Sequence, residues 1–352
     1  MDKAILQMHA TLSKNNLPTE QNINISNDFP SEQLAPQHIE DYGFLPIEKP
    51  ELAKYYYEQR NVRWVPADVD LREDRADYDN CDLDTQDLVD GNLAFFVPSD
   101  GLVEENLFKN FQQDTSFWKE SGFFYAEQCS MEIVHSEMYS LMAKSLIRDP
   151  TKLASIFNSI KTYPSVKRIS EFMKKYMDRK YSLAERIIAF ACVEGVLFTS
   201  AFASIYWIKK RNILRGFCKA NEFIARDEGI HTKYAVALYL LACKEQKMAP
   251  ASEDRAQEIV KEAVEAGSQF IRDILKIDRI GMSINDLIDY TKCTADELLY
   301  STGHSKLYNV TNPLDWMALI SLPNKTNFFE DKVSEYTQQT ESEFVFDEDA
   351  YF

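Results

Sequence analysis

Two stretches of the chain each place a carboxylate and an imidazole three residues apart: Glu132 and His135 in MEIVHSEMYS, and Glu228 and His231 in NEFIARDEGIH. On a helix this spacing brings both side chains to one face, about one turn apart, where they can chelate a single ion. The chain is acidic and has 5 histidines, so about one such pair would arise by chance and the spacing alone is weak evidence. Context strengthens it. Both pairs fall in the middle of apolar windows, whereas His9, His38 and His304 lie outside those windows and lack the spacing. A third acid, Glu194, stands in AFACVEGVLF with no basic residue within a helical turn on either side. Buried there, it would cost several kcal/mol unless a metal or a distant partner compensates it. A protonated or water-bridged core glutamate is the plain alternative. A fourth acid, Asp100, follows Pro98 in FFVPSDGLVEENL.

Asp100, Glu132, His135, Glu194, Glu228 and His231 read single, pair, single, pair along the chain. One acid from each of two helices and Glu-x-x-His from each of two others is the ligand pattern of ferritin-like dimetal carboxylate bundles. Four carboxylates neutralise two divalent cations, and one imidazole per ion favours iron or manganese over a thiolate-type zinc site. An oxygen-activating centre is therefore expected rather than a structural one.

Four long helical windows must position these residues. The first runs from about Thr85 to Asn110 and should kink at Pro98. The second, about Phe117 to Arg148, ends at Asp149-Pro150. The third, about Leu183 to Lys210, is apolar on nearly every side and should be buried all round. The fourth spans about Leu214 to Lys244. Shorter amphipathic windows lie near Leu52 to Arg60, Ala154 to Ile160, Ser165 to Met177, Glu253 to Leu275 and Ile284 to Leu299, and Trp64-Val65-Pro66 breaks the chain before an acidic stretch ending near Asp84. No strand alternation or fixed-period repeat appears. The expected fold is all-α, a ferritin-like bundle over residues 41–322. A polar N-terminal arm, residues 1–40, precedes it, and an acidic tail, residues 323–352, ending ESEFVFDEDAYF, follows it.

Composition agrees. Of 352 residues, 45% are hydrophobic and 12% aromatic, enough for a substantial core. A formal charge of -17 repels phosphate backbones, which argues against nucleic acid as a partner. The 6 cysteines are scattered, with no CxxC pair, and read as reduced core residues of a cytoplasmic protein. No secretory signal or membrane span is recognised.

The strings SDGLVEENL, MEIVHSEMYS, VEGVLFTSAFASIYW, NEFIARDEGIH, NPLDWM and KTNFFE resemble, in order, the eukaryotic-type small subunit of class I ribonucleotide reductase. The resemblance implies that oxygen reduction at two metal ions oxidises Tyr139, one turn beyond His135, to a radical. The pair would be iron, with manganese or a mixed manganese and iron pair left open. Phe198, Phe202 and Ile224 would line the radical pocket, although by composition they are ordinary core. Radical transfer would run through His135, Asp227 and Trp64, with Tyr336 completing the route to a large catalytic subunit that reduces ribonucleotides. Asp227 also suits a histidine ligand's free N–H. A homodimer is implied too. The tail, with Phe344, Phe346, Tyr351 and Phe352, would dock the large subunit; its spacing departs from the family pattern, which leaves the docking register open. A related dimetal oxidase or hydroxylase acting on a small organic substrate is the alternative, but it has no need of Trp64, Asp227 and the tail.

Overall fold

The computed structural model describes residues 43–276, 278, 282–314 and 317. His9, His38, Tyr336 and both terminal segments, 1–40 and 323–352, lie outside the described residues. Contacts divide the chain into two units, Met1–Pro46 and Ile47–Phe352; every helix among the described residues belongs to the second.

The described residues of that unit form helices and no strand. In chain order the α-helices longer than three residues are α1 Pro50–Asn61, α2 Asp74–Asn80, α3 Leu83–Asn106, α4 Lys119–Leu146, α5 Pro150–Phe157, α6 Ser159–Thr162, α7 Pro164–Met177, α8 Leu183–Lys209, α9 Arg215–Lys244, α10 Glu253–Ile274 and α11 Ile284–Ser301. Helices α3, α4, α8 and α9 box the core, each packed against two others, while α10 and α11 cover α8 and α1 covers α4 and α9. Capping chemistry fixes the starts. Asp82 accepts from the Thr85 N–H, Asp149 accepts from Thr151 and Lys152 ahead of a helix that opens on Pro150, and Ser182 and Glu185 cap each other's backbone.

Three features depart from the sequence expectations. The α3 helix runs through Pro98 to Asn106 as its window implied, but then widens into an unexpected π segment, Leu107–Phe111. The α8 helix contains a second π segment, Val193–Phe198, which holds Glu194. Helix α8 has the length and apolarity to cross a membrane, yet 89% of that window is buried inside the protein, as expected of a core helix.

The third departure is α2, which folds from the acidic stretch that follows the Trp64-Val65-Pro66 break, where no helix was expected. Its carboxylates cap α9 from a distance. Leu214, at φ 53°, offers no side-chain cap. Instead Asp77 accepts from the Leu214 N–H at 2.8 Å, and Asp74 accepts from Gly216 at 2.9 Å and Phe217 at 2.5 Å. A side chain at Gly216 would put its Cβ 2.2 Å from the Asp70 carbonyl oxygen, so only glycine fits there. An acidic run that repels itself in solution thus anchors the helix that carries Asp227, Glu228 and His231.

Candidate metal centre

Each of the four box helices brings polar side chains inward where the surroundings are apolar. Asp100 comes from α3, Glu132 and His135 from α4, Glu194 from the π segment of α8, and Glu228 and His231 from α9. All six are buried, none more than 2% exposed. The π segment shifts the register of α8 by a residue relative to an unbroken α-helix, which re-aims Glu194. Close approach of α8 to α9 requires the neighbouring Gly195, where a Cβ would lie 2.6 Å from Thr232 Cγ2.

The geometry has a two-fold character. Glu132 presents Oε2 to His135 Nδ1 at 3.4 Å and Oε1 to His231 Nδ1 at 3.1 Å. Glu228 does the same, with Oε1 3.2 Å from His135 Nδ1 and Oε2 2.7 Å from His231 Nδ1. Each of these two carboxylates therefore spans both imidazoles. Glu194 Oε2 lies 3.9 Å from His231 Nδ1. The donor atoms of Glu132, Glu194, Glu228 and His231 all fall within 4.8 Å of one another. Asp100 and His135 are not in that set of four; Asp100 is buried close enough to feel the charges of His135, Glu132, Glu228 and His231.

Charge balance tests whether cations fit. Among the described residues both Asp100 oxygens, Glu132 Oε2, Glu194 Oε2, Glu228 Oε1, His135 Nδ1 and His231 Nε2 are buried with no hydrogen-bond partner. Orphaned atoms at this density are rare in a folded core unless a ligand satisfies them. His135 Nε2 meets Asp227 Oδ2 at 3.1 Å. The carboxylate can only accept, so Nε2 carries the proton and Nδ1 is left as a lone pair facing two carboxylates. That contact is repulsive unless a proton or cation lies between. Without metal, protons fill the gap: burial pushes the Asp100 and Glu194 carboxyls well above the usual range. Burial opposes charge on His231, but Glu228 and Glu132 outweigh it and raise its pKa to about 9. Burial also opposes charge on His135, yet bonds to Asp227, Glu132 and Glu228 raise it well above the ordinary value. Two divalent cations would replace these protons and neutralise four carboxylates. The residues present fit a dimetal centre.

Around it stand the residues named for radical chemistry. Trp64 Nε1–H donates to Asp227 Oδ2 at 2.8 Å, the same oxygen that His135 reaches, and the Trp64 and His135 rings stack at 6.0 Å. Trp64 is buried, and Arg226 holds the other Asp227 oxygen at 3.3 Å. Tyr139 is fully buried; its hydroxyl donates to Asn221 Oδ1 at 2.8 Å. Phe198, Phe202 and Ile224 are buried as well.

Several neighbours of the site escaped the sequence reading. Phe96 stacks on Tyr139 with ring centroids 4.6 Å apart and planes at 4°, and packs in turn on Phe198 and Phe202. Gln128 Nε2–H donates to Glu132 Oε1 at 3.2 Å and Glu194 Oε1 at 3.4 Å. Phe96 lies four residues before Asp100, Gln128 four before Glu132, and Asn221 seven before Glu228. A search of the ligand face at helical spacing would have found all three.

The family model for the ribonucleotide reductase small chain matches residues 42–313. The chain belongs to the ribonucleotide reductase small-chain family. It is 38% identical over 308 residues to the ribonucleoside-diphosphate reductase small chain of Nicotiana tabacum, covering 87% of this chain and 92% of that one. It is 36% identical over 325 residues to human ribonucleoside-diphosphate reductase subunit M2, covering 90% and 82%. Among solved structures, the Rnr4 homodimer of the Saccharomyces cerevisiae ribonucleotide reductase superposes with a TM-score of 0.67 at 25% identity, over 94% of this chain and 98% of that one. The dimanganese(II)-NrdF of Streptococcus sanguinis shares the fold, with a TM-score of 0.64 at 17% identity over 78% and 95%. The all-helical fold and the reductase family of the sequence reading both stand.

Proposed function

We propose that this chain is the radical-generating small subunit of ribonucleoside-diphosphate reductase, and that Asp100, Glu132, His135, Glu194, Glu228 and His231 hold two iron ions. The observation that carries this reading is the pairing of Glu132 and Glu228 across both imidazoles, with both Asp100 oxygens and Glu194 Oε2 buried beside them without a hydrogen-bond partner. When bound, the two ions would supply the oxygen-reducing chemistry that provides the oxidant. Glu194 falls on the His231 side, and Asp100, on which the His135 charge acts more strongly than that of His231, is assigned to the His135 side. Tyr139 loses one electron in a pocket that keeps water away, and Phe96, Phe198 and Phe202 wall it with rings that offer neither protons nor reductants.

The radical leaves through His135, Asp227 and Trp64, which the shared Asp227 oxygen joins in one hydrogen-bonded line. Tyr336 and the acidic tail carry it to a large catalytic subunit, where ribonucleotides are reduced. Homodimer formation is supported by the yeast relative and by Ile133 and Leu141, two exposed apolar side chains on the outer face of α4. Six free cysteines suit a reducing, cytoplasmic compartment. Manganese satisfies the same donors, so loading each metal separately decides between them.

Reconstitution tests the reading. Iron-loaded protein mixed with a large subunit of the family, a ribonucleoside diphosphate and a dithiol reductant should form deoxyribonucleotide, and Tyr139→Phe should not. Equal turnover by the variant would overturn it.

A further inference from the structure

Tyr139 is held on two sides, by Phe96 and by Asn221. Phe96 covers one ring face in near-parallel stacking. At the hydroxyl end Asn221 is completely buried, its Oδ1 accepts the phenol proton's hydrogen bond at 2.8 Å, and its Nδ2 donates to the Phe217 carbonyl at 2.8 Å, one turn back along α9. The Phe217 bond fixes which way the amide faces, because only the nitrogen can donate to a carbonyl. Neither Asp100 oxygen has a hydrogen-bond partner, so the hydroxyl is not bonded to that carboxylate.

We propose that Asn221 is a positioning residue for Tyr139: its anchored amide turns the hydroxyl away from the carboxylates and, with Phe96, holds the ring in a single orientation. The inference rests on the reading of Tyr139 as the radical site. An amide oxygen is too weak a base to keep a phenol proton. When Tyr139 is oxidised its O–H bond must therefore break away from Asn221. The electron passes to the oxidant formed from oxygen at the metals, and the proton to a carboxylate or oxygen-derived base on the metal side. Afterwards the amide, still tied to Phe217, offers the phenoxyl oxygen no donor. The ring stays where Phe96 and the emptied Asn221 contact leave it, which gives the unpaired electron one geometry relative to its β-methylene protons.

The test compares wild type, Asn221→Leu and Asn221→Asp, each loaded with ferrous iron, exposed to oxygen and examined by electron paramagnetic resonance with metal content measured alongside. All three should bind the same amount of iron. Asn221→Asp, whose buried carboxyl in its neutral form keeps an acceptor toward the hydroxyl and a donor toward the Phe217 carbonyl, should retain the wild-type β-methylene splitting. Asn221→Leu should show a broadened, altered splitting and a shorter radical lifetime than wild type. In metal-free protein, ultraviolet resonance Raman difference spectra against Tyr139→Phe should show the phenol hydrogen bond in wild type and its loss in Asn221→Leu. If Asn221→Leu does not fold, Asn221→Ser, too short to span the gap, carries the same expectation. A leucine or serine variant with wild-type splitting and lifetime would overturn the positioning role alone. A wild type with no tyrosyl signal would overturn the Tyr139 reading instead.

Discussion

The two acid and histidine pairs look alike in sequence and differ in their surroundings. His135 shares an Asp227 oxygen with Trp64 and stacks against the indole, so the line from the site continues toward α1 and the loop beyond it. His231 has no such continuation: its Nε2 is buried without a partner, and its ring meets the edge of Phe124, which stacks on Tyr234. Under the proposed radical route, two half-sites of similar candidate-ligand chemistry would have one conducting side and one insulated side. The difference arises from outer contacts rather than from the ligands, since an acid at 227 and an aromatic at 124 decide what each ring can pass on.

That asymmetry can be broken at either end. The largest effect should come from the ligands: Glu194→Ala or Asp100→Ala should halve bound iron and abolish the radical, as read by metal analysis and paramagnetic resonance. Next, Asp227→Ala should leave iron binding and the radical in place while lowering nucleotide reduction about a hundredfold, the upper end of outer-shell effects. Loss of the radical itself would show that Asp227 serves the metals instead. On the insulated side, Phe124→Leu should cost about 1 kcal/mol of stability, measurable by denaturant unfolding, with turnover unchanged.

A smaller effect concerns pH. In the metal-free protein His231 has a pKa raised from 6.5 to about 9. A basic group with a raised folded pKa adds stability that is complete below pH 6.5 and lost as the pH climbs through 9. The buried Asp100 and Glu194 carboxyls, also raised, act in the same direction. Metal replaces these protons, so the melting temperature of metal-free protein should fall between pH 6.5 and 9 while that of loaded protein holds. The gap between them should widen with pH; a constant gap would contradict the proton exchange.

The four helices that carry the candidate ligands could be read from apolar periodicity, the two acid and histidine pairs from spacing, and Glu194 from the cost of a lone carboxylate in an apolar helix, whereas Asp100 was reached only through the ferritin-like pattern; of the six, Glu132, Glu194, Glu228 and His231 come within 4.8 Å of one another. Helix α2 could not. Its Asp74 and Asp77 look like a solvated acidic run until the start of α9 arrives to be capped by them, a contact between residues more than 130 apart. The π segment at Glu194 was equally hidden, since Val193–Phe198 has the same apolar composition as the helix on either side. The Asn221 bond to Tyr139 depends on two helices meeting, and Tyr139 among 18 tyrosines was singled out by family resemblance rather than by burial.

The most direct measurement is the paramagnetic resonance spectrum of protein loaded with ferrous iron and exposed to oxygen. A tyrosyl doublet in wild type that disappears in Tyr139→Phe, at equal iron content, is the expected result. A doublet that survives the substitution, or no radical with either iron or manganese, would contradict the assignment of Tyr139 and its neighbouring metals as the radical source.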